Sequence, residues 1–319
     1  MSDKKKILIT GANGYIGRQL GQYLQQQEHC EVLGIDLHIP SENLGFTVLP
    51  MDIRSAELST LVKQHDITHV VHLASIVSPG RNESLEYDID VNGTANVIAA
   101  CKANQVRHLT VTSSGAAYGY HADNPEWLRE SDPLRGNDEF SYSRHKKLVE
   151  IMLAEFAACQ TITQVLVMRP CTVLGKSTDN KITDLFKGKR LLGVGQAESP
   201  FVFVWDQDVI AALVHGVTFD IAGQFNLAGD GKVTLEQLAF LTHKKIRRLP
   251  AILIKAALWV GKTLRISSTG PEQLMFLQYR PVLANDKLKT VFGYIPQKSS
   301  LQVFEYFWAH QGSQEKKVN

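Results

Sequence analysis

Apolar and polar positions along the chain follow two alternating periods. Lys6-Ile7-Leu8-Ile9-Thr10 is an apolar run closed by a glycine, which predicts a buried strand. The stretch from Ile16 to Leu24 switches to the amphipathic spacing of a helix. The same switch recurs down the chain. It predicts strands over 31–36, 46–49, 68–75, 108–112 and 161–168, and helices over 55–64, 86–104 and from Tyr142 onward. Strands alternating with helices predict an α/β protein built on a doubly wound parallel sheet covered on both faces. From Cys171 the regular alternation breaks down. Residues 201–205 read as a strand and 206–217 as a helix, both expected to rejoin the sheet, with 225–227 as another short strand. The expected organisation is a core over 1–170, an insertion over 171–200, a return to the core sheet over 201–229, a smaller and mostly helical subdomain over 230–312, and a frayed polar tail over 313–319.

Composition narrows the class. The chain has 319 residues, 44% hydrophobic and 21% charged, which suits a soluble protein with one large α/β unit and a smaller appendage. A formal net charge of +2 makes no electrostatic case for nucleic acid. Lys4-Lys5-Lys6 reads as a solvated terminus, and the first residues lack the apolar core of a secretory signal. Cys30, Cys101, Cys159 and Cys171 are scattered singly, which argues against a metal site or a disulfide framework and suits a cytoplasmic location. The apolar stretch 251–260 contains Lys255 and falls short of the ~20 residues that cross a bilayer, so no transmembrane segment is expected. It reads as a core helix, ahead of the wall of an apolar pocket.

The turn after the first strand, Gly11-Ala12-Asn13-Gly14-Tyr15-Ile16-Gly17, carries the first chemistry. Gly11 permits a tight turn, Gly14 lets the backbone approach a pyrophosphate held over the helix amides, and Gly17 lets the helix lie close on the sheet. The second strand ends in Asp36, about 20 residues further on, where a dinucleotide site places its ribose partner. A carboxylate there accepts from the ribose hydroxyls and repels a 2′-phosphate, which predicts NAD rather than NADP. Asp52-Ile53, after the third strand, would read the adenine edge, or Asp52 would cap the following helix. The fourth strand runs out into Leu73-Ala74-Ser75, expected to border the cofactor, while His69 and His72 read as packed residues.

Tyr142 and Lys146 are four residues apart and share one helical face. An ammonium there favours the phenolate, which suits Tyr142 to exchange a proton with a substrate oxygen. Ser114, at the end of the fifth strand, is the candidate second hydrogen-bond partner of that oxygen.

These motifs, together with His72-Leu73-Ala74, Asn92-Gly93-Thr94, Tyr118-Gly119, Arg169-Pro170 and the run Val204 to Val209, cover about residues 6 to 230. The chain resembles an extended short-chain dehydrogenase/reductase of the NAD-dependent epimerase/dehydratase family, with features of the 3β-hydroxysteroid dehydrogenase-like reductases. The resemblance implies a Rossmann core, a bound NAD and a C-terminal substrate subdomain. It implies Ser114, Tyr142 and Lys146 as the catalytic set, with Lys146 also holding the nicotinamide ribose, and Asn92 on the helix beneath the cofactor. It further implies a homodimer through the helices over 86–104 and 142–159.

Three departures bear on the substrate, a small molecule. Gly115-Ala116 replaces the Asp-Glu pair of sugar-nucleotide dehydratases; Arg169-Pro170-Cys171 lacks the asparagine of UDP-sugar epimerases; and Ser199-Pro200 stands where those enzymes carry a diphosphate-clamping arginine. Arg280 resembles a further diphosphate arginine at a shortened interval to Asp286, and that match stays open. The expected activity is NAD-dependent interconversion of a secondary alcohol and a ketone. A nucleotide-sugar 4-epimerase with tightly bound NAD is the alternative, and a non-catalytic NAD sensor the remote one.

Overall fold

The computed structural model describes residues 4–77, 82–159, 162–264, 270–271 and 274–315. Its strands are β1 (Lys5–Thr10), β2 (Cys30–Asp36), β3 (Thr47–Pro50), β4 (His69–His72), β5 (His108–Thr112), β6 (Gln164–Pro170), β7 (Thr172–Leu174), β8 (Arg190–Val194), β9 (Phe203–Trp205), β10 (Gly223–Leu227) and β11 (Lys245–Leu249). Its α-helices are α1 (Tyr15–Gln25), α2 (Leu58–Gln64), α3 (Glu83–Tyr87), α4 (Gly93–Ala103), α5 (Ser141–Cys159), α6 (Lys181–Lys187), α7 (Asp206–Thr218), α8 (Leu235–Thr242), α9 (Ala251–Thr263), α10 (Leu274–Gln278) and α11 (Ser300–Glu315). The expected strand over 161–168 begins on Thr161, which lies outside the described residues, as do the first three residues and the last four; of the tail expected to fray over 313–319, residues 313–315 belong to α11.

Seven strands form one sheet in the order β10-β6-β5-β4-β1-β2-β3. The β1–β2, β2–β3, β1–β4, β4–β5 and β5–β6 pairings are all parallel. Ile7, Leu8 and Ile9 are completely or almost completely buried, as expected of a central strand with both faces covered. The strand order reverses between β1 and β4, and ligands of open α/β sheets bind at the carboxyl ends of the strands at such a point.

The chain divides into two compact units. The first comprises Met1–Ser114, His145–Arg169 and Val209–Phe225. Its main apolar core runs from Leu8 and Ile35 through Val70, Val97 and Leu109 to Leu153 and Val167. Lys5, expected to be solvated, is tied in here: its ammonium lies 2.5 Å from Asp220 and donates to the Val217 carbonyl. The second unit comprises Gly115–Arg144, Pro170–Asp208 and Asn226–Asn319. Its core is aromatic, with Phe186, Phe201, Phe203, Phe304 and Phe307 in one cluster. It holds two small parallel sheets, β7–β9 and β8–β11. Thus Phe203–Trp205, expected to rejoin the large sheet, pairs instead with Thr172–Leu174, whereas α7 from Val209 onward belongs to the first unit and β10 joins the large sheet, as expected. Phe201 to Trp205 is apolar at every position, a run that either partner strand can bury, so the pattern could not choose between them.

Candidate active site

Local sterics shape the loop between β1 and α1. Gly11 sits in the left-handed region at φ +69°, and a Cβ there would lie 2.8 Å from the Ala74 amide nitrogen. A Cβ on Gly17 would lie 2.2 Å from the Gly11 carbonyl oxygen. Both positions therefore demand glycine. Gly14 is the N-cap of α1 and offers no side-chain cap, and the first turn carries no acidic residue. The amino end of the helix is thus left to an anion, with its partial positive charge uncompensated by side chains. This cradle suits a pyrophosphate.

Asp36 closes the loop from the side. One carboxylate oxygen accepts the Asn13 amide at 3.0 Å and the other accepts the His38 amide at 3.2 Å. Each oxygen keeps a further lone pair for a hydroxyl donor. The Asn13 side-chain oxygen is buried with no hydrogen-bond partner, an acceptor without a donor. Leu73 and Ala74 border the same loop: the Leu73 amide donates to the Thr10 carbonyl and the Ala74 amide to the Thr10 hydroxyl. His72 bridges the Thr10 and Thr94 hydroxyls at 2.7 and 3.0 Å, a packed residue as expected, and burial pulls its imidazole down to about 3.

Asp52 and Asn92 are each held by a neighbouring side chain. Both Asp52 oxygens are engaged by Arg54, which holds its carboxyl below the usual carboxylate range, and Arg54 reaches Asp88 as well. Its side chain is therefore a partner of Arg54, and the turn into Ser55 is closed by the Asp52 main-chain carbonyl. The neighbouring Ile53 is buried, with its carbonyl accepting the Asn96 amide at 2.7 Å. Asn92 is exposed and donates to Asp88.

The buried polar residue of that segment is Asp90, which the sequence reading missed. A π-helical turn over Asp88–Asn92 joins α3 to α4, a local widening often found at functional sites. One Asp90 oxygen accepts the Ser75 hydroxyl at 2.9 Å and the Ile76 amide at 2.8 Å. The other lies 3.5 Å from Nδ1 of buried His145. These bonds, His145 and the nearby Lys146 charge outweigh desolvation and keep Asp90 below the ordinary carboxylate range. The available signal was an acidic residue inside an otherwise apolar Ile89-Asp90-Val91 stretch.

Lys146 is buried, and its ammonium donates to the Thr112 carbonyl at 3.2 Å. Burial pulls its pKa down, while Asp90 and Glu150 hold it up. Glu150, one turn further along α5, binds Arg169 through both oxygens at 2.6–3.0 Å and accepts the Ser113 hydroxyl at 2.5 Å. Ser113 is thereby committed, and the half-buried Ser114 is the more accessible hydroxyl at the end of β5. The same pair explains Arg169: it is an internal counter-ion. Tyr142 lies on α5, one turn before Lys146, half-buried and with its ring 6.2 Å from that of Phe140.

In the second unit the Arg280 guanidinium lies 3.8 Å over the Phe201 ring and donates to the Ser199 carbonyl at 2.7 Å. The Arg280 amide donates to the Ser199 hydroxyl at 3.1 Å. Burial pulls its pKa down to about 9, its Nε has no hydrogen-bond partner, and among the described residues it forms no ion pair with a carboxylate. Tyr120 senses both Arg280 and Tyr142, although its phenol is pushed up chiefly by burial.

The chain has relatives in sequence and in fold. A human protein named short-chain dehydrogenase/reductase family 42E member 1 is 33% identical over 185 residues, covering 54% of this chain and 45% of its own. The chain superposes on a Bacillus anthracis dTDP-glucose 4,6-dehydratase solved in complex with NAD, with a TM-score of 0.74, 20% identity and 98% of each chain covered. It superposes on a Thermotoga maritima UDP-glucose 4-epimerase solved with UDP-glucose, with a TM-score of 0.75, 18% identity, and 97% of this chain and 99% of that one covered. The sequence profile of the NAD dependent epimerase/dehydratase family matches residues 7–228, and the chain belongs to that family.

Proposed function

We propose that the protein is an NAD-dependent oxidoreductase that interconverts a secondary alcohol and a ketone. The carrying observation is helix α5, which bears Tyr142 and, one turn on, a buried lysine whose ammonium is fastened to the last residue of β5, two residues before Ser114. Gly11, Asn13, Gly14, Tyr15, Ile16 and Gly17 would cradle the pyrophosphate, and Asp36 would accept from the adenosine ribose. Leu73, Ala74 and Ser75 would border the cofactor, with Asp52 and Ile53 at its adenine end. Bound NAD would supply the hydride acceptor. Tyr142 takes the substrate hydroxyl proton in oxidation and returns it in reduction; Ser114 hydrogen-bonds the same oxygen; Lys146 keeps a positive charge beside the phenol and holds the nicotinamide ribose. We assign 171–200 and 230–312 to substrate binding, and a homodimer through α4 and α5 to the assembly. Tyr142→Phe removes one hydroxyl and nothing else. It should leave NAD affinity unchanged and lower turnover by about 10²–10⁴-fold. Wild-type turnover at matched NAD occupancy would refute the assignment.

A second reading, the nucleotide-sugar 4-epimerase, is favoured by Arg280, whose buried guanidinium lacks a carboxylate and suits an anionic substrate group. Against it, Ser199 stands where the clamping arginine was expected and serves instead to anchor Arg280. Calorimetry of the NAD-loaded protein with UDP, GDP and dTDP separates the readings. Micromolar binding of any of them, abolished by Arg280→Ala, moves the reading to the epimerase; no binding supports the alcohol/ketone enzyme.

A further inference from the structure

Helix α9 is the exception to the burial pattern of the chain. Its sequence, from Ala251 to Thr263, is apolar on nearly every side and reads as a core helix. Yet Ile254 is its single fully buried side chain among the described ones, packed with half-buried Leu258 against Val194, Leu249 and Leu274. Ile252 is 75% exposed, Trp259 61% and Leu253 57%, and Leu264 just beyond the helix is 63% exposed. At about 100° per residue, Trp259, Ile252, Ala256, Val260 and Leu253 follow one another around a continuous arc opposite Ile254. Such a contiguous exposed apolar face marks an interaction surface.

Charge says what the surface meets. Between Glu236 and Glu272 the chain has no acidic residue and seven basic ones, although its formal net charge is only +2. Lys255 lies at the edge of the apolar arc, beside Trp259. The strand leading into the helix, β11, exposes Lys245 and Arg247, and pairs with β8 so that Lys245 stands beside exposed Arg190 and Arg247 beside Leu192. Among the described residues Lys245, Arg247 and Arg190 make no ion pair. A second copy of the chain meeting this surface about a two-fold axis would bring the basic strip against itself. An apolar arc with a tryptophan, bordered by unpaired cations, fits the headgroup and acyl boundary of an anionic bilayer, where the apolar side chains insert and the cations meet lipid phosphates. We propose that α9 and the β8–β11 strip dock the protein onto an anionic lipid surface, lying on the membrane without spanning it.

The test is co-sedimentation of the full-length protein with vesicles of phosphatidylcholine alone or mixed with phosphatidylglycerol. The protein should pellet with the mixed vesicles at about 0.1 M salt and be released as salt screens the headgroups. Lys245→Gln with Arg247→Gln should weaken partitioning by about thirtyfold. Ile252→Gln with Trp259→Gln should abolish it. Because all four side chains are exposed, circular dichroism should report unchanged folding in both variants. A protein that stays in solution with both vesicles, or variants that pellet like the wild type, would overturn the proposal. A dimer by light scattering that Trp259→Gln converts to monomer would overturn it too, since the occupant is then a second copy.

Discussion

Replacing Glu150 with leucine should damage both stability and catalysis. Glu150 and Arg169 are each only 4% exposed, joined by three contacts of 2.6–3.0 Å, with the Ser113 hydroxyl on the same carboxylate. Glu150→Leu leaves a guanidinium buried without its counter-ion and a serine hydroxyl without its acceptor. Breaking one side of a buried pair costs about 3–5 kcal/mol, which for a protein of this size corresponds to a fall in Tm of roughly 4–8 °C. Replacing both partners, Glu150→Leu with Arg169→Met, removes the orphaned charge and should recover most of that loss. Urea denaturation followed by circular dichroism gives the double-mutant cycle. The catalytic effect follows from position: Glu150 ties α5, which carries Lys146, to Ser113 beside Ser114, so kcat should fall more than NAD affinity. A single-mutant loss below about 1 kcal/mol, or a double mutant as unstable as the sum of the singles, would refute the reasoning.

Gly17→Ala should destabilise by at least ~2 kcal/mol and abolish NAD binding by calorimetry, because the new Cβ meets the Gly11 carbonyl oxygen, a backbone atom that cannot swing away. Asp36→Ala should weaken NAD about tenfold or more relative to NADP, since it removes ribose acceptors and the negative charge; a wild-type protein that prefers NADP would contradict the role of Asp36. Burial depresses His72 to about 3 and His69 to about 4, so below about pH 6.5 the unfolded chain binds protons that the native state refuses. Stability should therefore fall with acidity by ~1.4 kcal/mol per pH unit for each of these histidines. Urea titrations at pH 7, 6 and 5 should show that slope, and His72→Asn should reduce it by the contribution of one group.

The loop from Gly11 to Gly17, the strand end at Asp36 and the Tyr142/Lys146 spacing were legible in the amino-acid sequence. Each is a constraint on neighbouring residues: a left-handed turn, a helix lying close on a strand, two side chains on one helical face. The alternating order of strands and helices followed from the same local periodicities. The Asp52 and Asn92 side chains are held by near neighbours, Arg54 two residues on and Asp88 four residues back, because a carboxylate or amide has several partners within reach and local spacing does not say which it takes. Asp90 with Ser75, Glu150 with Ser113 and Arg169, and Arg280 with Ser199 join positions 15 to 81 residues apart, and no period in the chain records such pairings. Helix α9 shows the limit most clearly. Its composition states that the helix is apolar, but burial depends on whether another element arrives to cover each face. The tertiary structure covered Ile254 and left Trp259 and Ile252 to the solvent.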